Sequence, residues 1–136
     1  MKNLFGLMPG SFYGWPKNRL HWAGINDCIV AITATVRPHF AIVDGIVGME
    51  GDGPIMGDPK PAGVLVMGRN LPAVDATCAR VMGLDPHRVV SLSLAEGWLG
   101  PVRENQIRQV GEPIGAVRTP FRLLDKIPAQ RALRSA

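Results

Sequence analysis

Two short apolar runs, residues 40–43 (Phe-Ala-Ile-Val) and 64–67 (Val-Leu-Val-Met), bracket twenty residues, 44–63, that contain six glycines, three prolines and four carboxylates. Both runs read as short buried strands. A structureless loop of about twenty residues inside one domain is functional or disordered. Ile46, Val47, Met49, Ile55 and Met56 argue against disorder, because they can anchor the loop on the body of the protein. The expectation is a ligand loop, and the rest of the chain is arranged around it.

Helices are the next clearest signal. Ile25, Ile29, Ile32 and Val36 form one narrow stripe, with Asn26 or Asp27 as N-cap and Arg37-Pro38 as the stop. Asn70 caps a second helix with Pro72 in its first turn, and Gly83 ends it. Leu71, Val74, Cys78, Val81 and Met82 form its apolar face. Asp85-Pro86 opens a third element over 90–94, read as helix although its alternation also fits a strand. Residues 107–110 read as a last strand, and Phe121 begins a frayed helix. This order predicts an α/β fold, a small layered domain with a partly parallel sheet of about three to four strands flanked by helices. One domain spans 1–112, and 113–136 form a basic C-terminal tail.

The chain's 136 residues suffice for one core and not two. Its longest apolar stretch, 29–36, is far short of a membrane span, and the N-terminus lacks a secretory signal, so no membrane partner is expected and the cytoplasm is the expected compartment. Cys28 and Cys78 stand fifty residues apart without a CxxC pair, which predicts small core residues and no iron–sulfur cluster within this chain. Trp15, Trp22 and Trp98 read as packing residues. Residues 1–100 balance eight basic against eight acidic side chains, whereas 101–136 carry seven basic and three acidic. That excess reads as a solvated tail or a docking surface. Nucleic acid is a disfavoured partner, since no groove-reading motif or interleaved aromatics accompany the charge.

Two chemistries fit the loop. The glycines, Gly48, Gly51 and Gly53 above all, allow backbone N–H groups to converge on an anionic small molecule. Alternatively, Asp44, Glu50 and Asp52 supply oxygen ligands for a divalent cation, Mg²⁺ or Ca²⁺. No named phosphate or calcium loop matches the spacing. Asp44 directly follows a predicted strand, where ligands bind in open α/β sheets, although an Asp-Gly turn explains it equally well. Asp75 lies about 60° from the centre of its helix's apolar face, a buried-edge position that demands a partner or a ligand. Arg80 points to the solvent side. Lys2, Asn3 and His21 are candidate anion contacts. In a catalytic reading, Asp44, Glu50 and Asp75 are the acid/base groups.

Lys2-Asn3-Leu4-Phe5-Gly6, His21, Asp44-Gly45, Gly48-Met49-Glu50-Gly51-Asp52-Gly53-Pro54, Gly57, Asp75 and Met82-Gly83-Leu84-Asp85-Pro86 follow in the order and spacing of a known pattern. Over roughly 1–112 the chain resembles the C-terminal half of the domain-of-unknown-function 362 family. The resemblance implies association with four-iron ferredoxin modules and an additional N-terminal half. This chain begins almost at the family's internal Lys-Asn-Leu segment and has no cysteine-rich stretch. A stand-alone short form, a split subunit and a truncated reading frame all fit, and the thin sheet suggests a homo-oligomer or a missing half. Two functions remain, the first the expected one and the second its alternative. The first is a ligand-binding, catalytic domain acting on an anion or metal at 44–63. The second is a non-catalytic assembly domain that docks a ferredoxin-like, iron–sulfur partner.

Overall fold

Local capping signals place the helices. The computed structural model, which describes residues 1–13 and 18–134, contains short helices α1 (Gly10–Tyr13) and α2 (Asn18–Trp22), followed by α3 over Ile25–Val36. Trp15 lies outside the described residues. The α3 stripe buries Ile29, Val30 and Ile32. Gly24 is its N-cap, so Asn26 and Asp27 fall inside the helix, and Arg37 closes it in the left-handed region at φ 44°. Helix α4 (Leu71–Val81) is capped by Asn70, whose side chain accepts from the Ala73 N–H at 3.0 Å. It ends at Gly83, where φ +76° requires glycine and the Leu84 N–H reaches Ala79 O at 2.8 Å. The ambiguous segment forms helix α5, Val90–Ala95.

The predicted sheet is not there. Among the described residues there is one two-stranded antiparallel sheet, β1 (Ala41–Asp52) against β2 (Met56–Gly68), and no parallel pairing between named strands. The segment expected to be a loop is itself strand, so the two apolar runs are the inner ends of one long hairpin whose tip is 53–55. Strands joined by a tight turn must run antiparallel, whereas parallel pairing requires a crossover. Glycine and proline disguised the strands. Pro59 and Pro61 are tolerated because a two-residue spacing puts both missing N–H groups on one outer edge, and a two-stranded ribbon has only edges. Residues 107–110 form no strand: they pair with neither β1 nor β2, and Val110 is 86 % exposed.

The pairing slips once. Between Gly45↔Val64 and Val47↔Pro61, Ala62 and Gly63 stand opposite Ile46 alone, and Gly63 adopts φ +67°. Across this bulge β1 changes phase. Val43 and Gly45 turn inward before it, and Gly48 and Glu50 after it.

The core is helical. Met1, Ile29, Val30, Leu71, Ala76, Leu92, Ala95 and Val102 form one buried cluster joining α3, α4 and α5. The hairpin's inner face lies against α4 and Phe121, leaving a half-open pocket of about 180 Å³ lined by Val43, Val66, Cys78 and Met82. Trp22 and Trp98 are 79 % and 61 % exposed, so neither fills the core as the sequence suggested. From α6 (Ile114–Val117) onward the tail is irregular apart from a 3-10 turn, Pro128–Gln130.

Candidate functional site

The basic tail and the acidic hairpin meet. Phe121 N–H bonds Met82 O at 2.9 Å, which brings the tail alongside the distal half of β1. There the Arg122 carbonyl accepts from the Gly51 N–H at 3.2 Å, and the Arg122 N–H donates to Glu50 Oε2 at 2.8 Å. Lys60 Nζ lies 4.0 Å from the same Glu50 oxygen. The Arg122 guanidinium pairs with Asp58, and Lys126 Nζ pairs with Asp52 Oδ2 at 2.6 Å. Gln130 completes the bracket. Its Nε2 donates to Gly51 O at 2.9 Å while its Oε1 accepts from Leu124 N–H at 2.7 Å.

This geometry gives the glycines a steric role. A Cβ on Gly48 would stand 2.8 Å from two ring carbons of Phe121, and one on Gly51 would stand 2.9 Å from the Arg122 guanidinium. The Gly51 N–H is already taken by Arg122 O. Gly48 pairs with Lys60 in the ladder, and Gly53 leads into the cis Gly53–Pro54 bond at the tip.

Asp44 is separated from the other carboxylates. It precedes the bulge, is exposed opposite Leu65, and accepts from the Ile46 N–H at 3.0 Å. Without the change of phase, Asp44, Glu50 and Asp52 would share one face. Among the described residues no group of three or more His, Cys, Asp or Glu side chains converges to hold a metal ion. Oxygen ligation of Mg²⁺ or Ca²⁺ requires several converging carboxylates or carbonyls. The hairpin's arrangement does not fit that donor set, because Glu50, Asp52 and Asp58 each face a cation.

The remaining candidates lie with the helices. Lys2 and Asn3 are exposed on a 3-10 turn, Lys2–Leu7, that packs on α3. The His21 ring meets Phe5 edge-on, with centroids 6.1 Å apart. Asp75 accepts from the Met1 amino group at 2.7 Å, the partner its position on α4 demands. Arg80 is not on the solvent side. Its side chain is 14 % exposed, donates to Val102 O at 2.7 Å and lies 3.6 Å from Glu104, contacts that no helical wheel contains.

Cys78 lies on α4, facing the inner side of the hairpin. Burial pushes its thiol from 9.0 to about 11, and the neighbouring Asp75 charge adds to the rise. The folded state therefore favours the protonated thiol. This contribution to stability is whole below pH 9 and is lost as pH rises toward about 11. We expect iodoacetamide to leave Cys78 unmodified in the native protein at pH 8 and to alkylate it readily in urea. Equal rates in the two states would contradict this placement.

The chain belongs to the family described as Domain of unknown function (DUF362), whose model matches residues 1–80. That match takes in the hairpin and Asp75 and stops short of Met82. The chain is also similar to Thylakoid-associated protein sll1697 of Synechocystis sp. (strain ATCC 27184 / PCC 6803 / Kazusa), with 30% identity over 103 residues. The alignment covers 71% of this chain and 30% of that protein, so the chain spans less than a third of the relative's length. No solved structure matches. Among the described residues no helix is long and apolar enough to cross a membrane.

Proposed function

We propose that this chain is an assembly domain of its family, and that a second copy covers the outer face of its hairpin. One observation carries the reading. Phe40, Ile42, Val47, Leu65 and Met67 are between 50 % and 67 % exposed on the side of the hairpin turned away from α4. Met49, Pro59 and Pro61 continue the patch, and Asp44 is the charge within it. Such a face presents on the order of 600 Å² of apolar surface, more than most monomers leave in one patch and close to half of a standard interface. An antiparallel hairpin face is self-complementary about a twofold axis, and the one carboxylate within it already accepts from the Ile46 N–H.

This reading accounts for the hairpin better than binding of an anion or cation at 44–63. The carboxylates of the distal hairpin are already engaged by Lys60, Arg122 and Lys126, so that end of the loop serves the fold. Sedimentation equilibrium of the full chain tests the proposal. We expect a dimer at tens of micromolar, and association weakened about a hundredfold or more by Ile42→Thr with Val47→Thr. Threonine keeps the strand preference, so the melting of the monomer unit stays close to wild type. A wild-type chain that remains monomeric at about 100 μM would overturn the proposal. So would a variant that dimerises as well as wild type.

A further inference from the structure

The hairpin has a second unsatisfied feature, on its edge rather than its face. A groove of about 700 Å³ runs beside β2 and is lined by six consecutive residues of that strand, 63–68. Successive strand side chains point to opposite faces, so only a groove along the backbone edge can touch six in a row. The other edge of these residues is the one paired with β1. Among the described residues no backbone hydrogen bond other than those of the hairpin ladder reaches 63–68. The lining continues onto α4, through Val74, Thr77 and Val81, and onto the segment carrying Ile107, Val110 and Ile114.

We infer that this groove is an acceptor site for one extended polypeptide strand, added to the free edge of β2. Its size and shape fit that occupant. Five residues of strand fill roughly 16 Å by 4.8 Å by 10 Å, about 800 Å³. Backbone groups of β2 supply the hydrogen bonds, while the accessible side chains of Ile107, Val110 and Ile114 offer apolar contact to alternate side chains of the incoming strand. Arg69 and Arg108 stand exposed at the groove against Glu112, an excess of positive charge that selects carboxylates at the ends of the strand. The ligand class is therefore an extended peptide, apolar at alternate positions and acidic at its ends. The inference stands on the groove and is independent of pairing through the outer face.

Amide NMR of the full, isotopically labelled chain tests it. The probe is a mixture of peptides about seven residues long, with Val, Ile or Leu at alternate positions, Ser or Thr between them and Glu at both ends. We expect saturable shifts of the amides at 63–68 and at Val110, with half-saturation below about 1 mM, and at least about tenfold slower exchange of the β2 edge amides. The same mixture N-methylated on alternate residues fails to produce them. Thr77→Trp, which fills the groove from α4, abolishes the shifts in a chain whose melting and association are those of wild type. No shift up to about 1 mM, shifts centred on β1, or shifts that survive N-methylation would each overturn the inference. Ile42→Thr with Val47→Thr leaves peptide binding intact, so loss of the dimer and loss of the groove read out separately.

Discussion

Phe121→Ala is expected to lower the unfolding free energy by about 3–5 kcal/mol, the usual cost of deleting a buried aromatic ring. Phe121 is 6 % exposed, and its ring fills the space beneath Gly48, where the tail meets the inner face of the hairpin. Domains of this size are stable by only about 5–15 kcal/mol, so the loss is a large fraction of the total. The effect is also local. Without the ring the Gly51 to Arg122 backbone bond and the Glu50 contact lose their anchor, and the amides of Gly51 and Arg122 exchange much faster. Urea denaturation and hydrogen exchange measure the two parts. A loss below about 1 kcal/mol would mean that the tail does not rest on the hairpin as described.

Gly48→Ala is expected to cost about 1–3 kcal/mol in the protein without any added ligand. The new methyl would sit 2.8 Å from two ring carbons of a side chain too buried to swing away. Combined with Phe121→Ala, the same substitution has nothing to strike and its cost vanishes. The double-mutant cycle then shows a coupling of about 1–3 kcal/mol. An anion cradle predicts the reverse, with stability kept and ligand affinity lost. A Gly48→Ala protein as stable as wild type would remove the close-packing account of this glycine.

The helices were legible because their signals are local. Asn70, Pro72 and Gly83 each act within one turn of their own residues, and the α3 stripe needs only a period of 3.6 residues. The strands at 40–43 and 64–67 were legible as strands for the same reason, but their extension was not, and they are not buried: Ile42 is 67 % and Leu65 55 % exposed. Between them the signals of a loop and of an edge strand coincide, because glycine and proline are admitted wherever one strand edge faces no partner. Asp75 was placed correctly on a partly buried edge of α4, yet its partner is 74 residues away. The Glu50 contact with Arg122 and the Lys126 pair with Asp52 span 72 and 74 residues. No window of sequence contains such pairs, so the basic excess of the tail looked like charge left for solvent or a partner.

By itself the sequence determined the places of α3 and α4, the Asn70 cap and the presence of a Gly- and carboxylate-rich segment between two apolar runs, but neither the Gly24 cap of α3 nor the lack of a helix from Phe121 onward. Those outcomes depend on a few residues interacting with their immediate neighbours. Only the tertiary structure decided that this segment is hairpin, that a one-residue slip at Ile46 sends Asp44 and Glu50 to different faces, and that the tail neutralises the carboxylates. The reason is the two-residue period of a strand combined with long-range charge pairing. A single bulge inverts which side chains face the core, and opposite charges meet wherever the chain brings them together.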